Sequence, residues 1–331
     1  MIRIISFFIF IWAVNGAICC LIYIWCFRKV KRPHYRFVAG EYCLEKARLI
    51  REEFFYRAGA STLKGYFYPN SKSDKLMVIV HGYRSGADDF LPLIKEFLQN
   101  GYNVFSYDST GTYDSKGASL IGACQFLVDL DNTLNYIENN EKFNKFSLYL
   151  TGHSLGGYAV LSILSLHKNV KGCLAYAPVN NGALLMEKTA RAYLGIVVSI
   201  HKPFLDIIQK CIFGKYVNFT GVKGINSIDI PIMVVQGVND KIVGRKNISV
   251  NSYKKEIKNK KVVFISVTGE NGGHSEIWHS IRAVKYKREV DEKMKKLSKK
   301  KRAEYYKKID HKRYSEANVE IVKQFVNALE N

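Results

Sequence analysis

The residues Gly152-His153-Ser154-Leu155-Gly156 set a serine between two glycines, where the strand-like run Leu148–Thr151 gives way to the helix-like run Gly157–Leu164. A sharp strand-to-helix turn leaves no room for side chains at the flanking positions, which is the work the glycines do, and it presents the serine hydroxyl as a nucleophile. The plain alternative is a serine in a tight turn, since the bare five-residue pattern arises by chance in about one unrelated chain of this length in ten. Acyl transfer at Ser154 needs a base, an acid to orient it and donors for the developing oxyanion. Candidates for each follow strand-like runs. Tyr83 ends "VIVHGY", and its backbone N–H can join that of Leu155 in holding an oxyanion. Loss of one such donor costs about 100-fold to 1000-fold in rate. Asp240, in "VVQGVNDKIV", is the candidate acid, and His274, in "SVTGENGGHS", the candidate base.

Either residue alone reads as an ordinary loop residue, but their joint position after successive strands makes coincidence improbable. The chain has eight histidines, so rivals exist. His81 reads as a turn histidine, His153 lies within the elbow and points elsewhere, and His167 follows the helix after the elbow. His201 falls in a long insertion and His311 in a basic tail. His279, five residues beyond His274, is the nearest rival, but its surroundings read as helix. Asp108, in "SYDSTGTYDS", also ends a strand, yet it precedes the serine, and its role is to structure the loop beside the site.

The elements that must position these groups alternate along the chain. After a strand-turn-strand unit from Arg51, strand-like runs such as "LMVIV", "YNVFSYD", "FSLYLTG", "GCLAYAP", "PIMVVQG" and "KVVFISV" are separated mostly by helix-like ones. Strands spaced by helices of about ten residues or more predict a mostly parallel, doubly wound sheet, with ligands bound beyond the carboxyl ends of its strands. About fifty residues, 179–229, interrupt the alternation; they are apolar, with few helix breakers in their first half. That is too long for a plain connection and reads as a helical cap over the site, the alternative being one crossover helix with long loops.

Together "STLKGYFYP", "VHGYRSG", "YDSTGTYDSKG", "LTGHSLGGYAV", "VVQGVNDKIV" and "GGHS" resemble the bacterial α/β-hydrolases of the lysophospholipase and serine aminopeptidase-like group, over nearly everything from about Arg51 onward. Their chain order, Ser, Asp, His, is that of the α/β-hydrolase arrangement. The resemblance implies an α/β-hydrolase fold, with Ser154 as nucleophile, His274 as general base and acid, Asp240 as its orienter, and Tyr83 and Leu155 as oxyanion donors. It implies no cofactor or metal. One departure is Tyr113, where relatives commonly carry a second glycine in the loop after Asp108.

Residues 4–27 hold no charge over 24 positions, and as a helix would reach about 36 Å against a hydrocarbon core of about 30 Å. This is the expected transmembrane anchor. A cleaved signal peptide is the rival, though the run is longer than a typical apolar signal core and no small-x-small site closes it. Arg3 alone precedes the run, while Arg28, Lys29, Lys31, Arg32 and Arg36 follow it. A single-pass protein with its body facing the cytoplasm follows from that asymmetry. The seven cysteines, Cys43 and Cys124 among them, show no disulfide or metal-ligand spacing, and the tripeptides at Asn218 and Asn247 are too short to argue glycosylation. Domain organisation is therefore read as the anchor 4–27, a basic juxtamembrane segment 28–50 and a hydrolase domain 51–331.

Net charge is +21, and residues 282–313 hold fifteen Lys/Arg against five Asp/Glu. Val290, Met294, Leu297, Tyr305 and Ile309 recur there at near-helical spacing, which predicts a basic amphipathic helix. Such a helix is either a solvated surface element or one that lies on an anionic leaflet. Nucleic acid is the weakest partner reading, because no recognised binding module accompanies the basic residues. The expected function is a membrane-anchored serine hydrolase cleaving carboxylic esters, lysophospholipase- or monoacyl-lipid-like, whose partner is an acyl-ester substrate. A serine peptidase or amidase with the same residues, or a silent binding protein on the same fold, are the alternatives.

Overall fold

The structure is a computed structural model that describes residues 2–33, 49–195, 197–244 and 247–330. Most of the basic juxtamembrane segment, residues 34–48 with Arg36 and Cys43, lies outside the described residues. In chain order come α1 (Ile2–Cys26), β1 (Glu52–Ala58), β2 (Ser61–Tyr68), β3 (Lys75–Val80), α2 (Leu91–Gln99), β4 (Asn103–Asp108), α3 (Gln125–Glu138), β5 (Ser147–His153) and α4 (Leu155–Ser162). There follow β6 (Gly172–Tyr176), α5 (Gly182–Leu194), α6 (Val197–Phe213), α7 (Gly221–Ile225), β7 (Ile232–Gly237) and β8 (Val262–Val267). The C-terminal helices are α8 (Ile281–Lys295), α9 (Lys299–Lys308), α10 (His311–Tyr314) and α11 (Val319–Glu330).

The strands form one sheet of eight in the order β1-β2-β4-β3-β5-β6-β7-β8. β1 with β2 and β2 with β4 are antiparallel, and every pair from β4-β3 onward is parallel. Residues in β4, β6 and β7 are buried throughout, as parallel strands covered on both faces must be. Leu127, Leu130, Leu134, Leu161 and Leu164, from α3 and the α4 region, belong to the core on one face. Leu93, Ile94 and Phe97 of α2 with Ile321, Val322 and Phe325 of α11 belong to the other. This is the α/β-hydrolase fold expected from the sequence.

Helices α5 and α6 fill the interruption between β6 and β7. Asn181 caps α5 through its side chain, which accepts from the Leu184 N–H. Residues 221–225, also within the expected cap span, instead pack into the body: a Cβ on Gly224 would overlap the Leu161 carbonyl oxygen.

Helix α1 is long and apolar enough to cross a bilayer. One side, with Ile4, Phe7, Phe8, Phe10 and Leu21, is exposed. The other meets α6, where Gly16 lies against the Phe204 ring and Trp12 packs on it at a tilt with centroids 4.0 Å apart. The chain then runs directly into the body. Phe27 is buried in the core, worth about 1.5–3 kcal/mol, and Arg28 and Val30 form bridges to Ser119 and Thr112. Arg32 ends in a nest of carboxylates, bonded to Asp88, 2.8 Å from Asp114 and 3.7 Å from Asp108. Its charge, which as part of a flank argued topology, is thus also spent inside the domain.

The basic segment 282–313 is helical but is not one helix. Lys296 and Ser298 break it, and Arg302 Nε donates to the carbonyls of Met294 (2.9 Å) and Leu297 (3.0 Å) at the end of α8. The apolar stripe is turned inward as a small separate core of Val290, Met294, Tyr306 and Ile309, with Tyr306 rather than Tyr305 buried. The single amphipathic helix expected from the sequence is therefore a folded helical pair, in which each short helix covers the other's apolar edge.

Candidate active site

Ser154 sits between β5 and α4 at φ 57°, ψ −114°, a conformation that L residues rarely adopt and that stores strain. The glycines make it possible: a Cβ on Gly156 would overlap the Val80 and His81 carbonyl oxygens, so the elbow and the end of β3 meet backbone to backbone. The Ser154 N–H donates to the Tyr176 carbonyl at 2.9 Å, fixing the turn to β6.

His274 reaches the serine from the loop after β8. Its Nε2 lies 3.1 Å from Ser154 Oγ, and its Nδ1 lies 2.8 Å from Asp240 Oδ2 in the loop after β7. The loops are held together by backbone, the Asn239 N–H donating to the Gly272 carbonyl at 2.9 Å. All of the carboxylate's hydrogen-bonding directions are used. Oδ1 accepts from the N–H groups of Ile242 and Val243, both at 2.9 Å, and Oδ2 accepts also from Gln236 Nε2 at 2.8 Å. The Gln236 amide is oriented in turn by the Ser249 hydroxyl, which donates to Oε1 at 2.8 Å. Burial would raise the Asp240 pKa, but the hydrogen bond and charge of His274 and the two backbone donors outweigh it and hold the group at about 2. An acceptor-only carboxylate requires the proton on His274 Nδ1, which leaves Nε2 as the acceptor facing Ser154 Oγ.

Tyr83, in the turn after β3, and Leu155, next to the serine in the chain, line the same cavity as Ser154. Leu155 opens α4, so its N–H is one of the helix's unpaired terminal donors, and the N–H of Tyr83 has no partner among the described residues. The Tyr83 phenol donates to the Cys26 carbonyl at the end of α1, and its ring lies 5.7 Å from that of Phe27. The turn is thereby tied to the N-terminal helix.

Three other histidines near the site make bonds of their own. His81 Nδ1–H donates to the Gly82 carbonyl at 2.8 Å and Nε2 accepts from the Ser109 N–H at 2.9 Å. Burial drops its pKa to about 4. His153, expected to point elsewhere, instead reaches the candidate base: its Nε2 donates to the His274 carbonyl at 2.9 Å. Burial, then the neighbouring His274, push it well below the usual imidazole range, so it stays neutral. His279 is buried with Nε2 3.0 Å from Lys287 Nζ, and its hydrogen bonds do not involve Ser154 or Asp240. Asp108 accepts from the Ala87 N–H at 2.9 Å and the Tyr66 hydroxyl at 3.0 Å, which is the loop-structuring role its position suggested. Burial raises it to about 7. Tyr113, the departure in this loop, takes a positive φ of 41° where a glycine would be unstrained. Its ring lies beneath the Arg32 guanidinium at 4.8 Å, and its hydroxyl donates to Asp89 at 2.9 Å.

Above Ser154 lies a cavity of about 930 Å³, at the upper end of the range for small-molecule sites. Leu185, Val198 and Leu205 of the helical insertion line it, and so do Cys19, Tyr23 and Cys26 of α1. Sequence reasoning missed this contribution from α1, as it missed Gln236 and the bond made by His153. The available signal was a stripe, Trp12, Gly16, Cys19, Tyr23 and Cys26, of small and aromatic residues spaced four and three apart in a run otherwise rich in Ile, Phe and Leu. Among the described residues no cluster of three or more His, Cys, Asp or Glu is arranged to hold a metal ion.

Residues 71–209 match the family described as serine aminopeptidase, S33. Among curated relatives, the protein phosphatase methylesterase 1 of Candida albicans is 24% identical over 135 residues, 40% of this chain and 37% of that protein. The chain thus spans about 40% of the length of the curated relatives it matches. Among solved structures, a Pyrococcus furiosus esterase is 20% identical, with a TM-score of 0.56 over 82% of this chain and 99% of that one. Est1E of Butyrivibrio proteoclasticus, solved with ferulic acid bound, is 16% identical, with a TM-score of 0.52 over 67% of this chain and 91% of that one. At these identities the structural likeness is one of fold.

Proposed function

We propose that this chain, which has the α/β-hydrolase fold and matches the serine aminopeptidase family over residues 71–209, is a membrane-anchored serine hydrolase of carboxylic esters with amphipathic acyl substrates. The observation that carries the reading is the hydrogen-bonded series Asp240, His274, Ser154 opening into a largely apolar cavity. His274 Nε2 takes the Ser154 proton as Oγ attacks the ester carbonyl carbon, and the oxyanion is received by the N–H groups of Tyr83 and Leu155. Collapse breaks the bond to the alcohol, which leaves with the proton from His274. Water, deprotonated by the same histidine, then attacks the acyl-serine, and the carboxylic acid departs as Ser154 regains its proton. Asp240 remains ionised throughout and stabilises the imidazolium.

Membrane anchoring rests on α1, and the cytoplasmic placement of the body on the basic residues that follow it. A peptidase acting at a free amino terminus would be favoured by an unpaired carboxylate that receives the substrate's amine. The insertion offers Glu187 and Asp206 at the cavity, but both pair with Lys202, which favours the ester. The test is labelling of the full chain in detergent by a fluorophosphonate probe, with p-nitrophenyl esters as substrates. Labelling and turnover that vanish in Ser154→Ala are expected. A folded protein that neither reacts nor turns over would overturn the proposal in favour of a silent binding protein.

A further inference from the structure

We infer that the N-terminal apolar helix is a wall of the substrate site: the acyl chain of an ester held at Ser154 runs along the seam between α1 and α6 toward the lipid-facing side of α1. The inference rests on the esterase reading above and assigns it an acyl subsite. Three observations converge on this seam.

The first is continuity. Beside the catalytic cavity lies a second of about 260 Å³, bordered by Cys20 of α1, Ile208 and Ile212 of α6, and Ile121. Tyr23, Leu205 and Gln209 line both cavities, so the partition between them is made of these side chains.

The second is that polar atoms in this partition have no partner. Tyr23 Oη and Gln209 Oε1 are buried and make no hydrogen bond among the described residues. An unsatisfied buried polar atom is costly, and a packed seam that served only to hold two helices together would not retain two of them. Displacing these side chains lets the two atoms find water or substrate partners, so neither contributes a hydrogen bond that opposes opening.

The third is the distribution of charge. Charge borders the catalytic cavity at Lys287, Arg288 and Asp291 of α8 and at the mutually paired Glu187, Lys202 and Asp206 of α5 and α6, whereas α1 brings none to it between Ile4 and Phe27. An amphipathic ester is therefore oriented, its polar end toward α8 and its chain toward α1. The bond from the Tyr83 hydroxyl to the Cys26 carbonyl fixes the α1 wall relative to the turn that would receive the oxyanion.

The test uses the full chain in lipid nanodiscs and a long-chain alkyl fluorophosphonate carrying a terminal diazirine. After reaction and illumination, peptide mapping should place the cross-links on α1 between Cys19 and Tyr23 and on α6 between Leu205 and Ile212. Cross-links confined to α8 or α10 would overturn the subsite while leaving the esterase reading intact. Failure to label Ser154 at all would remove both. Steric occlusion gives a second readout: Cys19→Trp should lower the ratio of kcat/KM for palmitate over butyrate esters relative to wild type. At about fourfold per methylene excluded from the wall, loss of two or more exceeds about tenfold. Leu21→Trp, on the lipid-facing side of the same helix, should leave the ratio unchanged. Equal ratios in the two variants would refute the wall.

Discussion

Replacing Asp240 by Asn tests the proposed catalytic series at the point where the structure dictates the outcome most narrowly. Oδ1 accepts from the backbone N–H groups of Ile242 and Val243, which cannot reverse their polarity, so the amide oxygen of the variant must take that place. The amide nitrogen then replaces Oδ2 and faces His274 Nδ1 and Gln236 Nε2. Gln236 can accommodate it by flipping, because its partner is the Ser249 hydroxyl, which can accept as readily as it donates. His274 can accept from the amide only as the tautomer with its proton on Nε2, and that places a donor where the base for Ser154 is needed. The variant should therefore fold nearly as well as wild type and lose about 10⁴-fold in kcat/KM, equivalent to about 5 kcal/mol of transition-state stabilisation. Steady-state hydrolysis of p-nitrophenyl butyrate and the rate of fluorophosphonate labelling measure the loss, and chemical denaturation checks the fold. The variant should also lose part of the acid limb of the stability profile. A carboxylate depressed to about 2 stabilises the native state above its ordinary range, and that contribution is lost as pH falls toward 2. A folded Asp240→Asn protein retaining more than about a tenth of wild-type activity would refute the reasoning.

Two further outcomes follow from geometry elsewhere. Gly156→Ala should destabilise the fold by about 3 kcal/mol, since its methyl group must push α4 away from the Val80 and His81 carbonyls; denaturant midpoints check this, and a cost below about 1 kcal/mol would show that the elbow yields. His167 bonds Asp131 at 2.8 Å and Glu138 at 2.9 Å, and Asp131 also accepts from the Tyr216 hydroxyl beyond α6. Although burial opposes it, these carboxylates raise the His167 pKa, so its stabilising effect is complete below the ordinary imidazole value and fades as pH rises through the elevated one. Melting temperatures should fall more steeply across that window in wild type than in His167→Gln, since Asp108 and His153 contribute alike to both, and parallel slopes would exclude the linkage.

The sheet was legible because each parallel strand is a short apolar run closed by a turn residue, and covering both faces demands that pattern. Ser154, Asp240 and His274 were legible for a related reason: the fold presents loop residues at the carboxyl ends of its strands, so strand ends narrow the search to a few positions. The break within 282–313 was harder to see. Its apolar spacing fits a continuous helix, and the capping of α8 by Arg302 depends on a turn whose energy is spread over backbone carbonyls. Helix α11 escaped notice because a single apolar face, Ile321, Val322 and Phe325, carries no mark of the α2 side chains it packs against.

What the sequence hid about the site has a common physical cause. His153 acts through the carbonyl of His274, Tyr83 through that of Cys26, and Gln236 through an amide that any neighbouring acceptor would satisfy. Bonds to main-chain carbonyls select for a side chain of the right length and leave no covarying partner type to recognise. Helix α1 is the sharpest case. Read as hydropathy, its residues say only that they avoid water, and a lipid bilayer satisfies that as well as a protein partner does. The distinction lies in side-chain size: Gly16 lets α6 approach, while Cys19 and Cys26 fill too little space to close the seam beside Tyr23. A helix that served only as an anchor would gain nothing from that economy of volume on one side. A helix that bounds a cavity requires it.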